Sequence, residues 1–144
     1  MSQQTNRTEG LHVLEFDLGV DRYAVDISSV DEIVDREELT SIPNTPPHVE
    51  GVMDLRGETT TIVNPRRIFD IDAGDGATGQ RIVVFEDLVA DEDRTIGWLV
   101  DEVYQVNRVD LDHLDNDVAE GAVEGVIQRE DEFVIWVAPE KVDV

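Results

Sequence analysis

The chain has 144 residues, 40% of them hydrophobic, and no cysteine, so it can pack an interior but has no disulfide, thiolate metal site or thiol nucleophile. Asp and Glu total 34 against 11 Lys and Arg, and the net charge of −23 is spread along the chain as a solvated coat that repels nucleic-acid phosphates and anionic lipid. No apolar run reaches the ~20 residues that span a bilayer, so a cytoplasmic protein with no nucleic-acid partner and no direct membrane insertion is expected.

In chain order, the polar tail 1–10 is expected to be disordered. In "LEFDL", Leu14, Phe16 and Leu18 alternate with Glu15 and Asp17, which predicts a half-buried strand. "GVD" turns the chain into a second strand, "RYAVDI", with Tyr23, Val25 and Ile27 on one face. Ser28 is positioned to cap a short helical turn carrying Val30, Ile33 and Val34 at i, i+3, i+4 spacing. "SIPNTPP" is a proline-stiffened loop. A hairpin follows: "GVMDL", a turn at "RGE", and "TTTIV". The glycine-rich "DIDAGDGATG" reads as a linker, and "RIVVF" begins a second half.

That second half repeats the first. Val49–Ile68 aligns without gaps to Val123–Val142, an offset of 74, keeping V-E-G-V, Glu58 over Glu132, Val63 over Val137 and Pro65 over Pro139. "YAVDISSVDEIV" from Tyr23 falls on "IGWLVDEVYQV" from Ile96 at an offset of 73. Two copies are too few for a solenoid, and short strands punctuated by turns predict two small barrels sharing an apolar seam. Trp98 and Trp136, within apolar strand runs, are expected to pack in a core or in that seam. One difference stands out: the first copy has Leu55-Arg56-Gly57 where the second has Arg129-Glu130-Asp131.

Signals of chemistry do not hold together. "GDGATG" matches a dinucleotide-binding glycine pattern, but a strand follows it where a helix N-terminus is required. "DIDAGDG" and "DLDHLDND" fail the position count of a calcium loop. His12, His48 and His113 show no metal-ligand spacing and adjoin no serine nucleophile. No enzyme activity, catalytic residue, cofactor or metal is therefore expected.

"RYAVDISSVDEIV", "IPNTPPHVEGVMDLRG" and "IGWLVDEVYQV" together resemble the CheW-like domain of bacterial and archaeal chemotaxis, over about Leu11 to Val142. The resemblance implies an all-β fold of two intertwined, SH3-like, five-stranded β-barrels with short helical turns and a short C-terminal helix. It implies one domain over 11–144, with subdomains at about 23–80 and 81–142 and the strand 11–20 open to exchange between barrels. The implied function is a non-catalytic adaptor joining the signalling tips of chemoreceptors to the regulatory domain of the histidine kinase CheA, recruited to membrane-associated receptor arrays. The alternative is a scaffold or regulatory module of another two-component pathway.

By the same resemblance, partner-binding positions are Val30, Glu32 and Ile33 of a V-x-E-I motif, Ile42 and Asn44 of the I-P-N-x-P loop, and Leu55, Arg56 and Gly57 of L-R-G. Glu32 and Arg56 are expected to pair or lie close, with Arg56 reading an acidic or amide group on a partner. Gly57 would supply a positive φ at the turn. Asp54 replaces the family's usual asparagine, and Asn64-Pro65-Arg66 a common D-L-R, which leaves the meeting of the barrels there open. Arginine supplies every cation but Lys141, so the composition also resembles proteins of salt-loving archaea.

Overall fold

The structure, a computed structural model, describes residues 11–19, 21–69, 81–85, 95–115, 117, 121–128 and 131–139. The expected N-terminal tail, glycine-rich linker and C-terminal helix lie outside the described residues. Strands dominate: β1 (Leu11–Leu18), β2 (Asp21–Asp26), β3 (Val30–Asp35), β4 (Val49–Leu55), β5 (Glu58–Val63), β6 (Arg81–Phe85), β7 (Thr95–Val100), β8 (Val103–Val109), β9 (Leu114–Asp115), β10 (Val123–Gln128) and β11 (Phe133–Val137). One short helix, α1 (Pro65–Ile68), and two 3₁₀ turns complete the described elements.

The strands form two sheets, β8-β1-β2-β11-β10-β9 and β3-β6-β7-β5-β4, here barrel A and barrel B. Apart from the two-residue β9, the orders are the same under the internal repeat. The registers match residue for residue: β5 runs parallel to β7 with Thr60 opposite Thr95 and Ile62 opposite Gly97, and β11 runs parallel to β2 with Val134 opposite Arg22 and Trp136 opposite Ala24. Both long hairpins also carry an irregularity at the same place, between Val49 and Gly51 and between Val123 and Gly125.

The sheets do not divide at 80/81. β6 and β7 join β3, β4 and β5 in barrel B, whereas β1 and β2 join the later strands in barrel A. The cause lies in the burial of the exchanged hairpins. "RIVVF" and "TIGWLV" are buried at every position after the first, so both faces need cover, and each hairpin becomes the centre of a sheet.

One face of each central hairpin fills its own barrel. Met53, Ile62, Ile82, Val84 and Leu99 fill barrel B, and Val13, Ala24, Val109, Ile127 and Val134 fill barrel A. The other faces meet in a larger seam built from Leu14, Phe16, Leu18, Tyr23 and Val25 of one sheet and Val83, Phe85, Ile96, Trp98 and Val100 of the other. Trp98 is its hub, with Phe16, Phe69 and Phe85 edge-on at centroid distances of 6.3, 6.1 and 5.1 Å. Trp136 instead is half-buried against the interior of barrel A.

Two local expectations are corrected. The cap after β2 is Asp26, whose carboxylate accepts from Ser28 N at 3.0 Å, not Ser28. Val30–Val34 is strand, not helical turn. A register shift between Val30 and Glu32 turns both Val30 and Ile33 to the seam while Val34 packs into barrel B, and so mimics helical spacing.

At the Asn64-Pro65-Arg66 departure, Asn64 caps α1 by accepting from Arg66 N at 3.1 Å, and Pro65 occupies the first turn, where no amide is needed. Arg66, 5% exposed, donates to Asp101, which also accepts from Gly19 N at 2.9 Å. Ile68 and Phe69 then pack on the seam. A buried ion pair thus pins the helix between the two barrels.

Candidate partner-binding site

The β4–β5 hairpin closes on two residues, Arg56 (φ 53°) and Gly57 (φ 84°). Left-handed backbone at both central positions is the signature of a type I′ turn, whose twist matches that of the strands it joins. Glycine takes this conformation freely and arginine does not, so the ladder, not local preference, holds Arg56 there.

The turn projects the Arg56 guanidinium toward β3, at the opposite edge of the sheet, where it donates to Glu32. Barrel B therefore closes through a side-chain pair where its edges lack a backbone ladder. Exposure is uneven across the pair, 72% for Arg56 and 22% for Glu32. The carboxylate is a partly sheltered anchor, and the guanidinium keeps donors turned to solvent.

The remaining predicted residues separate by environment. Val30 and Ile33 are half-buried on the seam, and Leu55 is half-buried against the interior of barrel B. Their outer edges alone are open to a partner. Asp54 is exposed on β4 opposite Thr59. Ile42 and Asn44 lie on the exposed loop before β4, anchored where Thr40 exchanges two backbone hydrogen bonds of 2.9 Å with Val52. Asn44 has φ 64°, and with Pro43 before it forms the Pro-Asn pair of a type II turn, locked further by Thr45 Oγ1 donating to Ile42 O at 3.0 Å. Ile42 is left 41% exposed.

Features that sequence reasoning missed lie on barrel A. Val106 on β8 and Phe133 at the start of β11 are 43% and 64% exposed, the other large apolar side chains so placed among the described residues. Phe133 was legible in principle: alternation with the inward Val134 turns it outward. Also unforeseen is the setting of Glu15, an acidic side chain that is fully buried. Arg22 Nη1 lies 3.5 Å from it, Asn107 donates to it at 3.2 Å, and the Arg22 guanidinium stacks 3.9 Å over the Tyr104 ring. Tyr104 donates to Asp17 at 2.6 Å, and this bond, with some burial, raises the phenol above its ordinary pKa. Among the described residues no group of three or more His, Asp or Glu is placed to hold a metal ion.

Residues 12–143 match the family model described as "CheW-like domain". The chain is similar to "Chemotaxis protein CheW" of Thermotoga maritima, 25% identical over 134 residues covering 90% of this chain and 85% of the relative. A relative of the same description in Helicobacter pylori is 30% identical over 114 residues, 77% of this chain and 67% of its own length. Among solved structures, the "scaffolding protein TtCheW from Thermoanaerobacter tengcongensis" superposes with a TM-score of 0.78 at 26% identity, covering 89% of this chain and 84% of that one. With the duplicated barrels and the L-R-G turn in place, the chain belongs to the CheW-like domain family.

Proposed function

We propose that this chain is a non-catalytic chemotaxis adaptor that couples the cytoplasmic tips of chemoreceptors to the regulatory domain of the histidine kinase CheA, within cytoplasmic arrays gathered at membrane receptors. Family membership over residues 12–143 supports the class of function, and the relative of known structure is itself described as a scaffolding protein. The observation that carries the reading at residue level is Arg56, lifted on a rigid two-residue turn and oriented by Glu32.

An adaptor needs two contact surfaces. Barrel B offers the Arg56 turn, the exposed Ile42 and the partly exposed Val30, Ile33 and Leu55, while barrel A offers Val106 and Phe133. Glu32, Asp54 and Gly57 set the geometry and charge of the Arg56 turn, and Asn44 shapes the loop that carries Ile42. Apolar anchors carry most of the affinity, since rim ion pairs are screened by salt.

Pull-down by a matched kinase regulatory domain and a receptor-tip fragment tests the assignment. Arg56→Glu is expected to weaken capture of at least one partner tenfold or more. Arg36→Glu, the same reversal in the loop after β3, is expected to leave capture nearly unchanged. Equal losses from the two variants would refute the site. Arg56→Gly keeps the turn and removes the guanidinium, so it should behave like Arg56→Glu in binding while remaining fully folded.

A further inference from the structure

A cleft of about 370 Å³ opens on barrel A, lined by Asp26, Ser28, Ser29, Glu124, Trp136 and Pro139 among others. That volume lies within the range of ordinary small-ligand sites. Its lining joins one partly buried tryptophan to two acidic residues and two serines. Asp26 Oδ1 accepts from Ser28 N at 3.0 Å and Ser28 Oγ at 2.9 Å, which fixes the carboxylate at the rim.

The internal repeat shows what the chain places at the corresponding position of barrel B. There Leu99 stands for Asp26, Asp101 for Ser28, Glu50 for Glu124, Ile62 for Trp136 and Pro65 for Pro139. Two guanidinium groups from α1 occupy it: Arg66 donates to Asp101, and Arg67 Nε lies 3.8 Å from Glu50. In the second half these arginines are replaced by Glu140 and Lys141, and the apolar Leu99 and Ile62 by an aspartate and a tryptophan. The repeat has kept the glutamate, shifted the aspartate by two positions, gained a tryptophan and dropped both guanidinium groups. Elsewhere on barrel A, Arg22 shows how such surroundings are satisfied, stacked on Tyr104 with Glu15, Asp17 and Glu132 within 3.8 Å.

We propose that the cleft receives an arginine side chain of a partner protein, its guanidinium stacked on the Trp136 indole between Asp26 and Glu124. A guanidinium suits this site better than an ammonium. It is planar and weakly hydrated, and it can stack while its edge donates to carboxylates and serine hydroxyls. Glu124 is engaged within the chain, and a carboxylate has lone pairs for further donors. None of the cleft residues belongs to the Glu32–Arg56 turn, so the inference stands or falls apart from the adaptor reading.

The test follows the tryptophan indole N–H resonances of the full chain by ¹⁵N NMR, with Trp136→Phe assigning the Trp136 signal. N-acetylarginine amide is the probe and its neutral isostere, N-acetylcitrulline amide, the control. Saturable movement of the Trp136 resonance is expected with the arginine probe, about tenfold weaker with citrulline and in Asp26→Asn. Trp98, sealed in the seam, should not move, and an unchanged Trp98 resonance reports intact folding of each variant. Equal responses to both probes, or none, would overturn the proposal. So would a response that emerges only in Lys141→Gln, because the chain's own lysine would then be the occupant.

Discussion

Tyr23 shows how a single residue couples the seam to solution conditions. Its ring lies 5.7 Å from that of Phe69, nearly parallel, and the residue is only 5% exposed. Burial, reinforced by the nearby Asp21 charge, pushes its phenol up to about 12. An unfolded chain would release that proton near pH 10. Between about pH 10 and about 12 the unfolded state therefore binds fewer protons, and stability must fall as pH rises. Urea denaturation across that window is expected to show the decline in the parent and a shallower one in Tyr23→Phe. Equal slopes would show that Tyr23 is not the group responsible. At the same scale, L-R-G was legible as a turn because glycine after a charged residue between two strands implies positive φ. That Arg56 shares the left-handed conformation was not legible, since only the completed two-residue ladder demands it.

Elements explain why V-E-G-V occurs twice. A Cβ on Gly51 would come within 2.5 Å of Thr40 O, and one on Gly125 within 2.8 Å of Asp115 O. In each half a short preceding segment crosses close to the bulged strand, Thr40 opposite Val52 and Asp115 opposite Val126. The glycine admits that backbone. Gly57 differs: its φ is 84°, but nothing lies within 4 Å of its would-be Cβ. Alanine at Gly51 or Gly125 is expected to cost more than ~2 kcal/mol, and at Gly57 only about 1 kcal/mol. Gly51, which also has φ 150°, should be the most sensitive in thermal melts. A Gly57 variant as unstable as Gly51→Ala would contradict the close-approach explanation.

The element scale also marks where sequence reading ends. Period-2 alternation located β1 and β2, and the 74-residue offset predicted equivalent hairpins. Neither signal says which strand pairs with which. Exchange of the β1–β2 and β6–β7 hairpins between sheets depends on parallel contacts distant in sequence, and so the boundary at 80/81 was misplaced. β3 was misread because its bulge leaves two consecutive seam-facing residues three positions apart.

For the whole molecule, the interlocked sheets make separate unfolding of the barrels costly, since each hairpin centre fills one barrel and half the seam. A net charge of −23 on this small body opposes compaction through self-repulsion. The melting temperature is expected to rise from dilute buffer to multimolar potassium chloride as the Debye length shrinks to ~3 Å. An unchanged melting temperature would mean that the acids do not load the fold. Under the proposed adaptor reading, the same screening shifts the weight of partner binding from rim ion pairs to apolar contacts.

The central claim is that this doubled body bridges two different proteins, and co-sedimentation addresses it directly. Receptor-tip assemblies are spun with the kinase, with and without the chain, in a salt concentration at which the chain is folded. The account predicts that the kinase pellets with the receptor only when the chain is present, and that Arg56→Glu sharply reduces that recovery. Kinase that pellets equally without the chain, or a chain that pellets with neither protein, would contradict it.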